Sequence, residues 1–433
     1  MNEFAIGLIG TGALLAMVIA GVRVYIVAAL VGMFGVVAII GWEAGAGISG
    51  TVPHSKSVNY ALSVLPMFIL IGFIAYHAGL THALFRAARA WFAWVPGGLA
   101  VASVFATAGF AAVSGASTAT AAVFSRVAIP HMLEHGYQPK LAAGVVAAGG
   151  TLASLIPPSA ILVLYAIIVE ESVGALILAG FIPGIVSAII YAMLIVGRCM
   201  VNPELGRALP MAPMSERLAS LPGTLPVLLV VAIIFYSMYS GVATPTEAGA
   251  LGAFVVLVIA LFRGMKWKSL RDALEETAKL TVMIFALVWG ILIFVRFLGY
   301  AGLPQAFSEW IVELPLPPVL IMIGILLAYG ILGMFMDALG MLLLTLPVVH
   351  PAVIELGYDP IWFGIIVVKM CEVCLITPPV GLNCYVVAAV RPDIALGDVF
   401  RGIFPFFLAD VVTIALFLAF PGIVLWLPYA MNN

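Results

Sequence analysis

Two proline pairs, Pro157-Pro158 and Pro378-Pro379, each stand midway through a long apolar stretch. Consecutive prolines remove two backbone N–H donors, clash with the preceding turn and push the residue before them out of the helical region. A helix carrying such a pair breaks, and in an apolar medium its freed carbonyls must be buried against protein, water or a cation. Carbonyl oxygens beside Ser and Thr hydroxyls suit a small hard cation such as Na⁺. The half-helix that starts after a break offers the opposite, a partial positive end suited to an anion. Ahead of each pair lies a weak point of small or polar residues, Ser114-Gly115-Ala116-Ser117-Thr118 in one case and Gly333-Met334-Phe335-Met336-Asp337 in the other. We therefore expect one Na⁺ site at Ser114, Gly115, Ser117, Gly150 and Pro157, and a second at Gly333, Asp337, Thr377, Pro378 and Gly381. An anion between the two weak points would meet Ser117, Ser159, Asp337 and Thr377.

Other polar residues read more plainly. Asp337 is an acid inside an apolar segment, hence a functional candidate, although a partner such as Lys369 or Arg296 would make it structural. Lys369 and Glu372, three residues apart, should pair locally. Glu170-Glu171 ends a span and should be solvated, and Thr244-Pro245-Thr246-Glu247 has the form of a helix capping box. Cys371-x-x-Cys374 has redox spacing, but no neighbouring His or further Cys pair supports metal or thiol chemistry. No catalytic residue is expected. His77, His82, His131, His135 and His350 lie at the ends of apolar segments, no second membrane Asp partners Asp337, and no Walker A pattern occurs.

The elements that must position these residues follow from composition. Of the 433 residues 64% are apolar and only 9% charged, against about 25% charged in a soluble domain. With a mean hydropathy of +1.23, this excludes a soluble enzyme, a secreted disulfide scaffold, a disordered tail and a nucleic-acid binder. The chain is an all-α polytopic membrane protein. Since about 20 apolar residues cross a bilayer, ten spans are expected near 4–22, 24–42, 60–78, 141–169, 173–197, 224–241, 246–262, 280–302, 361–390 and 401–427. The stretches 97–133 and 318–354, weakened in the middle, should form two re-entrant hairpins. This layout puts 14 of the 18 Lys and Arg on one side, Lys56 alone on the other, and Arg126, Arg296 and Lys369 within apolar segments. By the positive-inside rule the rich side is cytoplasmic and both termini face outward. The N-terminus lacks the basic region of a cleavable signal peptide. The basic segment 263–279 is expected to lie as a helix on anionic lipid.

The sequence also repeats itself. Gly136-Tyr137-Gln138-Pro139 returns as Gly357-Tyr358-Asp359-Pro360, and Pro157-Pro158 as Pro378-Pro379, at a constant offset of 221 residues. With one inserted residue, Gly180-Phe181-Ile182-Pro183 matches Gly402-Ile403-Phe404-Pro405. The chain divides into N-terminal scaffold helices (1–59), a first repeat (60–197, hairpin 97–133, broken helix 141–169), a connecting region (198–279) and a second repeat (280–427, hairpin 318–354, broken helix 361–390). By the charge count the first spans of the two repeats run in opposite directions. Inverted repeats with broken helices are the pattern of secondary transporters, whose sites lie near the midplane.

Ser114-Gly115-Ala116-Ser117, the run from Gly149 to Ser159, Gly241-Val242-Ala243-Thr244-Pro245-Thr246-Glu247-Ala248 and Ile376-Thr377-Pro378-Pro379-Val380-Gly381 resemble, in order, the large membrane subunit of TRAP (tripartite ATP-independent periplasmic) transporters. One departure is Ala116, where the family's hairpin tip usually has Ser. The resemblance implies an elevator-type, Na⁺-coupled importer of an organic acid (a carboxylate) in a bacterial inner membrane, with no organic cofactor. It implies two partners besides the lipid bilayer: a periplasmic substrate-binding protein and a small four-helix membrane subunit on a separate chain. A stand-alone Na⁺- or H⁺-coupled carboxylate symporter or an ion antiporter would share the broken inverted repeats.

Overall fold

The computed structural model describes residues 2–430 except Asn59, Phe335 and Asp337, and among them it contains helices and connections but no strand. Three N-terminal helices, α1 (Glu3–Ile19), α2 (Val24–Ile40) and α3 (Trp42–Ser57), precede the first repeat. That repeat runs α4 (Val64–His77), α5 (Leu80–Phe92), hairpin arms α6 (Gly98–Ser114) and α7 (Ser117–Glu134), α8 (Pro139–Thr151), α9 (Ala160–Val169) and α10 (Val173–Val201). The connecting region holds α11 (Met214–Ser220), α12 (Leu225–Tyr239) and α13 (Pro245–Phe262). The order then recurs as α14 (Trp267–Tyr300), α15 (Leu303–Val312), α16 (Pro318–Gly333), α17 (Ala338–Glu355), α18 (Pro360–Ile376), α19 (Leu382–Val390) and α20 (Leu396–Ala419), and α21 (Gly422–Ala430) closes the chain.

Local signals explain most boundaries. Pro139 and Pro360 start α8 and α18 at the first helical turn, where a missing N–H costs nothing. The expected capping box is present: the Thr244 hydroxyl accepts from Glu247 N–H, and the Glu247 carboxylate accepts from Thr244 N–H at 2.7 Å.

The structure differs from or adds to these expectations in three places. The basic segment is not a separate surface helix, because Trp267–Tyr300 is one helix of 34 residues. Nothing between Trp267 and Leu287 breaks it, and Lys279 pairs with Glu275 at 2.8 Å one turn back. Unforeseen amphipathic helices, α5 and α15, follow the first helix of each repeat. And "ten spans" overstates what single helices provide. Among the described residues five helices are, by length and composition, individually long and apolar enough to cross a membrane, or seven if two bent pairs, at 70° and 52°, each count as one. Several expected crossings are assembled from shorter pieces, and α17, an arm of the second expected hairpin, passes the same length test.

The repeats are interlocked. After its break, each chain half crosses to the other repeat: α9 packs on α17, and α19 packs on α7. Leu162 and Tyr165 of α9 thus belong to the core of the second repeat, while Cys384 and Val387 of α19 belong to that of the first. Helices α8 and α20 cross at Gly144 and Gly402, where a Cβ on either residue would strike the other helix's backbone. Gly402→Val is expected to cost about 1–3 kcal/mol or more through overpacking. A lowered melting temperature of the detergent-solubilised chain checks this, and an unchanged one contradicts the close crossing.

Candidate functional site

The residues expected at the first cation site come together where the first hairpin tip meets the first break. Gly115 ends α6 in the left-handed conformation, φ +59°, which lets the chain reverse into α7. Its lack of a side chain also lets the Pro158 carbonyl approach, since a Cβ there would collide with that oxygen. The Ser117 and Ser154 hydroxyls are 2.6 Å apart, and Ser114 Oγ lies 2.9 Å from Thr120 Oγ1. Gly150 backs onto Ser117 O, so α8 touches the same tip. Ser114, Ser117 and Ser154 are buried, as are Pro157 and Pro158. This is a buried cluster of hydroxyl and carbonyl oxygens, a donor set that fits a small hard cation.

Ser154 and Thr120 are the site's unforeseen members. Ser154 lies three residues before the proline pair, in the short turn 152–154 that ends α8's path. Thr120 stands one turn into α7, three residues after Ser117. Ser159, expected to face an anion, is fully buried. Its hydroxyl donates to Ser154 O and accepts from Leu162 N–H at 3.3 Å, so it closes the break and caps α9.

The second site is arranged alike but is more open. Thr377 caps α18 and donates to Val373 O at 2.6 Å. Gly381, φ +47°, starts α19 against the Phe400 ring and 3.3 Å from Thr377 O as measured from a Cβ position. Gly333 ends α16 against the Cys374 side chain, one turn before Thr377. Pro378 and Pro379 are exposed, unlike their counterparts in the first repeat. Both proline pairs contain a cis bond. Asp337 lies outside the described residues. Lys369, weighed as its partner, is instead engaged by Glu372 at 2.6 Å, as the local spacing suggested, and by Asp410 at 2.8 Å.

Beside the first tip, a cavity of about 230 Å³ lies among the hairpin, α4 and α14, next to the point where Gly72 of α4 packs directly on the Ser114 backbone. Ser114, Ala119 and Arg126 line its hairpin side, and Gly72, Phe73 and Glu276 the other. Arg126 is exposed and makes no ion pair among the described residues, whereas Glu276 accepts from His77 at 3.1 Å.

Comparison with known proteins bears on the fold and the family. A solved transporter structure, YdaH of Alcanivorax borkumensis, superposes with a TM-score of 0.57 over 89% of this chain and 90% of its own, at 16% identity, which supports the fold alone. The C4-dicarboxylate TRAP transporter large permease protein DctM of Pseudomonas aeruginosa is 37% identical, over 86% of this chain and 87% of its own. The sialic acid TRAP transporter large permease protein SiaM of Vibrio cholerae is 30% identical, over 86% of each. The family model described as "Tripartite ATP-independent periplasmic transporter, DctM component" matches residues 4–423. The chain therefore belongs to the DctM family, the large membrane permeases of TRAP transporters.

Proposed function

We propose that this chain is the transport subunit of a Na⁺-coupled TRAP importer that carries an organic acid through a bacterial inner membrane by an elevator movement. The observation that carries the reading is the buried oxygen cluster at the first tip, where Ser114, Ser117, Ser154 and the Pro158 carbonyl converge. Bound Na⁺ would supply the positive charge that these oxygens need. The chain's own part is to hold them in place: Gly115 turns the tip, Gly150 lets α8 reach it, and Ser159 keeps the break closed. A second ion at Gly333, Asp337, Thr377, Pro378 and Gly381 follows from the repeat. Each charge that moves through 100 mV supplies about 2.3 kcal/mol, so two ions can drive substantial accumulation. Replacing Na⁺ by choline at constant pH should abolish uptake into proteoliposomes. Full uptake in choline would sink the coupling.

The two relatives' names specify a C4-dicarboxylate and sialic acid, both carboxylates, and support the organic-acid reading. We place the carboxylate between the tips, near Ser117, Ser159, Asp337 and Thr377, with Arg126 guiding it through the cavity beside the first hairpin. A charge-assisted hydrogen bond is worth about 1.5–3 kcal/mol, so Arg126→Gln should raise the apparent KM roughly tenfold or more. An unchanged KM would remove Arg126 from the path.

Family membership also supports the two partners, a periplasmic binding protein that delivers substrate and a small membrane subunit, with both termini of this chain on the periplasmic side. This chain purified and reconstituted alone should transport little. Saturable uptake without the binding protein would favour a stand-alone symporter.

A further inference from the structure

Four polar side chains meet at the seam between the repeats, none of them among the residues of either cation cluster. Lys369 Nζ lies 2.6 Å from Glu372 Oε2 and 2.8 Å from Asp410 Oδ1, and all three side chains are 0% exposed. The Tyr191 hydroxyl donates to the same Asp410 oxygen at 2.7 Å, and its ring centroid is 5.5 Å from the ammonium. Helix α18 provides Lys369 and Glu372, α20 provides Asp410 and α10 provides Tyr191. Helix α8 adds the uncharged Thr151, whose hydroxyl reaches Tyr191. Tyr329 of α16 faces the Cys371 and Cys374 side of α18 instead. By the repeat offset, Glu372 is the counterpart of Thr151 and Lys369 that of Ala148, so only the second repeat brings charge to this position.

The charges do not balance. One ammonium faces two carboxyl groups, and with both ionised the seam would carry a net negative charge shielded from water. An uncompensated buried charge costs several kcal/mol or more. The hydrogen bonds are also incomplete: Glu372 Oε1 and Asp410 Oδ2 are buried with no partner among the described residues. A single proton corrects the excess charge. Asp410 accepts from both Lys369 and Tyr191, whereas Glu372 accepts from Lys369 alone. Asp410 is thus the better-supported anion, and Glu372 the group that takes up the proton.

We propose that Glu372, joined to the Asp410–Tyr191 pair through the Lys369 ammonium between them, is a proton-binding site of this transporter, occupied in the present conformation. Binding converts the Glu372 carboxylate to the neutral acid and leaves Lys369 paired with Asp410. The site neither uses the cation clusters nor depends on Na⁺ coupling. It joins two helices of the second repeat to one of the first, so losing the proton would put a bare charge on the seam that holds the repeats together.

Infrared spectroscopy of the full-length chain in liposomes tests this without any transport assay. At neutral pH the wild type should show the carbonyl stretch of a buried protonated carboxyl. One carboxyl's worth of that intensity should vanish in Glu372→Gln. It should vanish equally in Asp410→Asn, because either change leaves one cation facing one anion and the remaining acid ionises. Both replacements are nearly isosteric, and size-exclusion profiles report whether each variant folds. The wild type supplies a second reading, since the band should fade reversibly as the pH is raised. No such band in the wild type at neutral pH, or its full persistence in either folded variant, overturns the proposal.

Discussion

Gly115→Val should weaken the Na⁺ dependence of uptake more than any other single change at the first tip. Two effects add. A β-branched residue at φ +59° is strained, because its Cβ crowds the next carbonyl, at about 1–2 kcal/mol. The same Cβ would run into the Pro158 oxygen, and overpacking of that kind costs about 1–3 kcal/mol. The tip can escape only by leaving the break, which separates Ser117 from Ser154 and scatters the oxygens around the proposed ion. The apparent Na⁺ affinity should then fall roughly a hundredfold or more, read from uptake against Na⁺ concentration in proteoliposomes with loaded binding protein. Gly136→Val is the matched control. Gly136 also has a left-handed backbone, φ +76°, but nothing lies near its Cβ position. It should cost stability and leave the Na⁺ dependence unchanged. Wild-type Na⁺ affinity in Gly115→Val would mean that the cluster at the tip does not hold the ion.

The parts of this site that could be read from the sequence are those that local chemistry determines. Proline pairs break helices wherever they stand, so α8 and α18 end before Pro157 and Pro378, and α9 and α19 begin after them. A small-residue run inside an apolar stretch reverses direction, and the chain turns at Gly115 as the spacing suggested. What escaped depends on packing between distant segments. Asp410 is an unremarked acid in the stretch 401–427 until α20 lies on α18 and brings it to Lys369. Nothing local announces that α9 inserts beside α17, or α19 beside α7, because their uniformly apolar faces fit many partners. The helix that carries the span expected from residue 280 starts earlier, at Trp267, for a related reason. Hydropathy marks where a helix enters lipid, not where it begins, and a helix-forming basic segment runs into α14 without a stop signal. Counting spans by length fails at the same places, since a broken helix presents two short pieces and a hairpin arm can be as long as a crossing.

The elevator movement makes the largest all-or-none prediction. The cavity beside the first hairpin lies along surfaces that must slide past one another if the hairpin and break travel as one body while α4 stays in the frame. Phe73 of α4 and Ala119 of α7 both line it. With cysteines at these two positions, a short bifunctional reagent should bridge hairpin and frame across the gap. The native cysteines are all buried, which limits competing reactions. Once bridged, uptake should stop completely, whereas either single-cysteine variant treated the same way should keep transporting. A bridge containing a reducible bond adds the decisive control, because cutting it should restore uptake and so exclude damage to the fold. Ser114 shares this cavity with Phe73, so recovery of uptake on cutting is what assigns the loss to restrained motion rather than to a disturbed tip. Undiminished uptake by the bridged protein would show that hairpin and α4 stay together through the cycle. Transport would then have to proceed by opening and closing gates around a stationary site, and the flexible part would be the exposed break at Pro378-Pro379 rather than the whole hairpin unit.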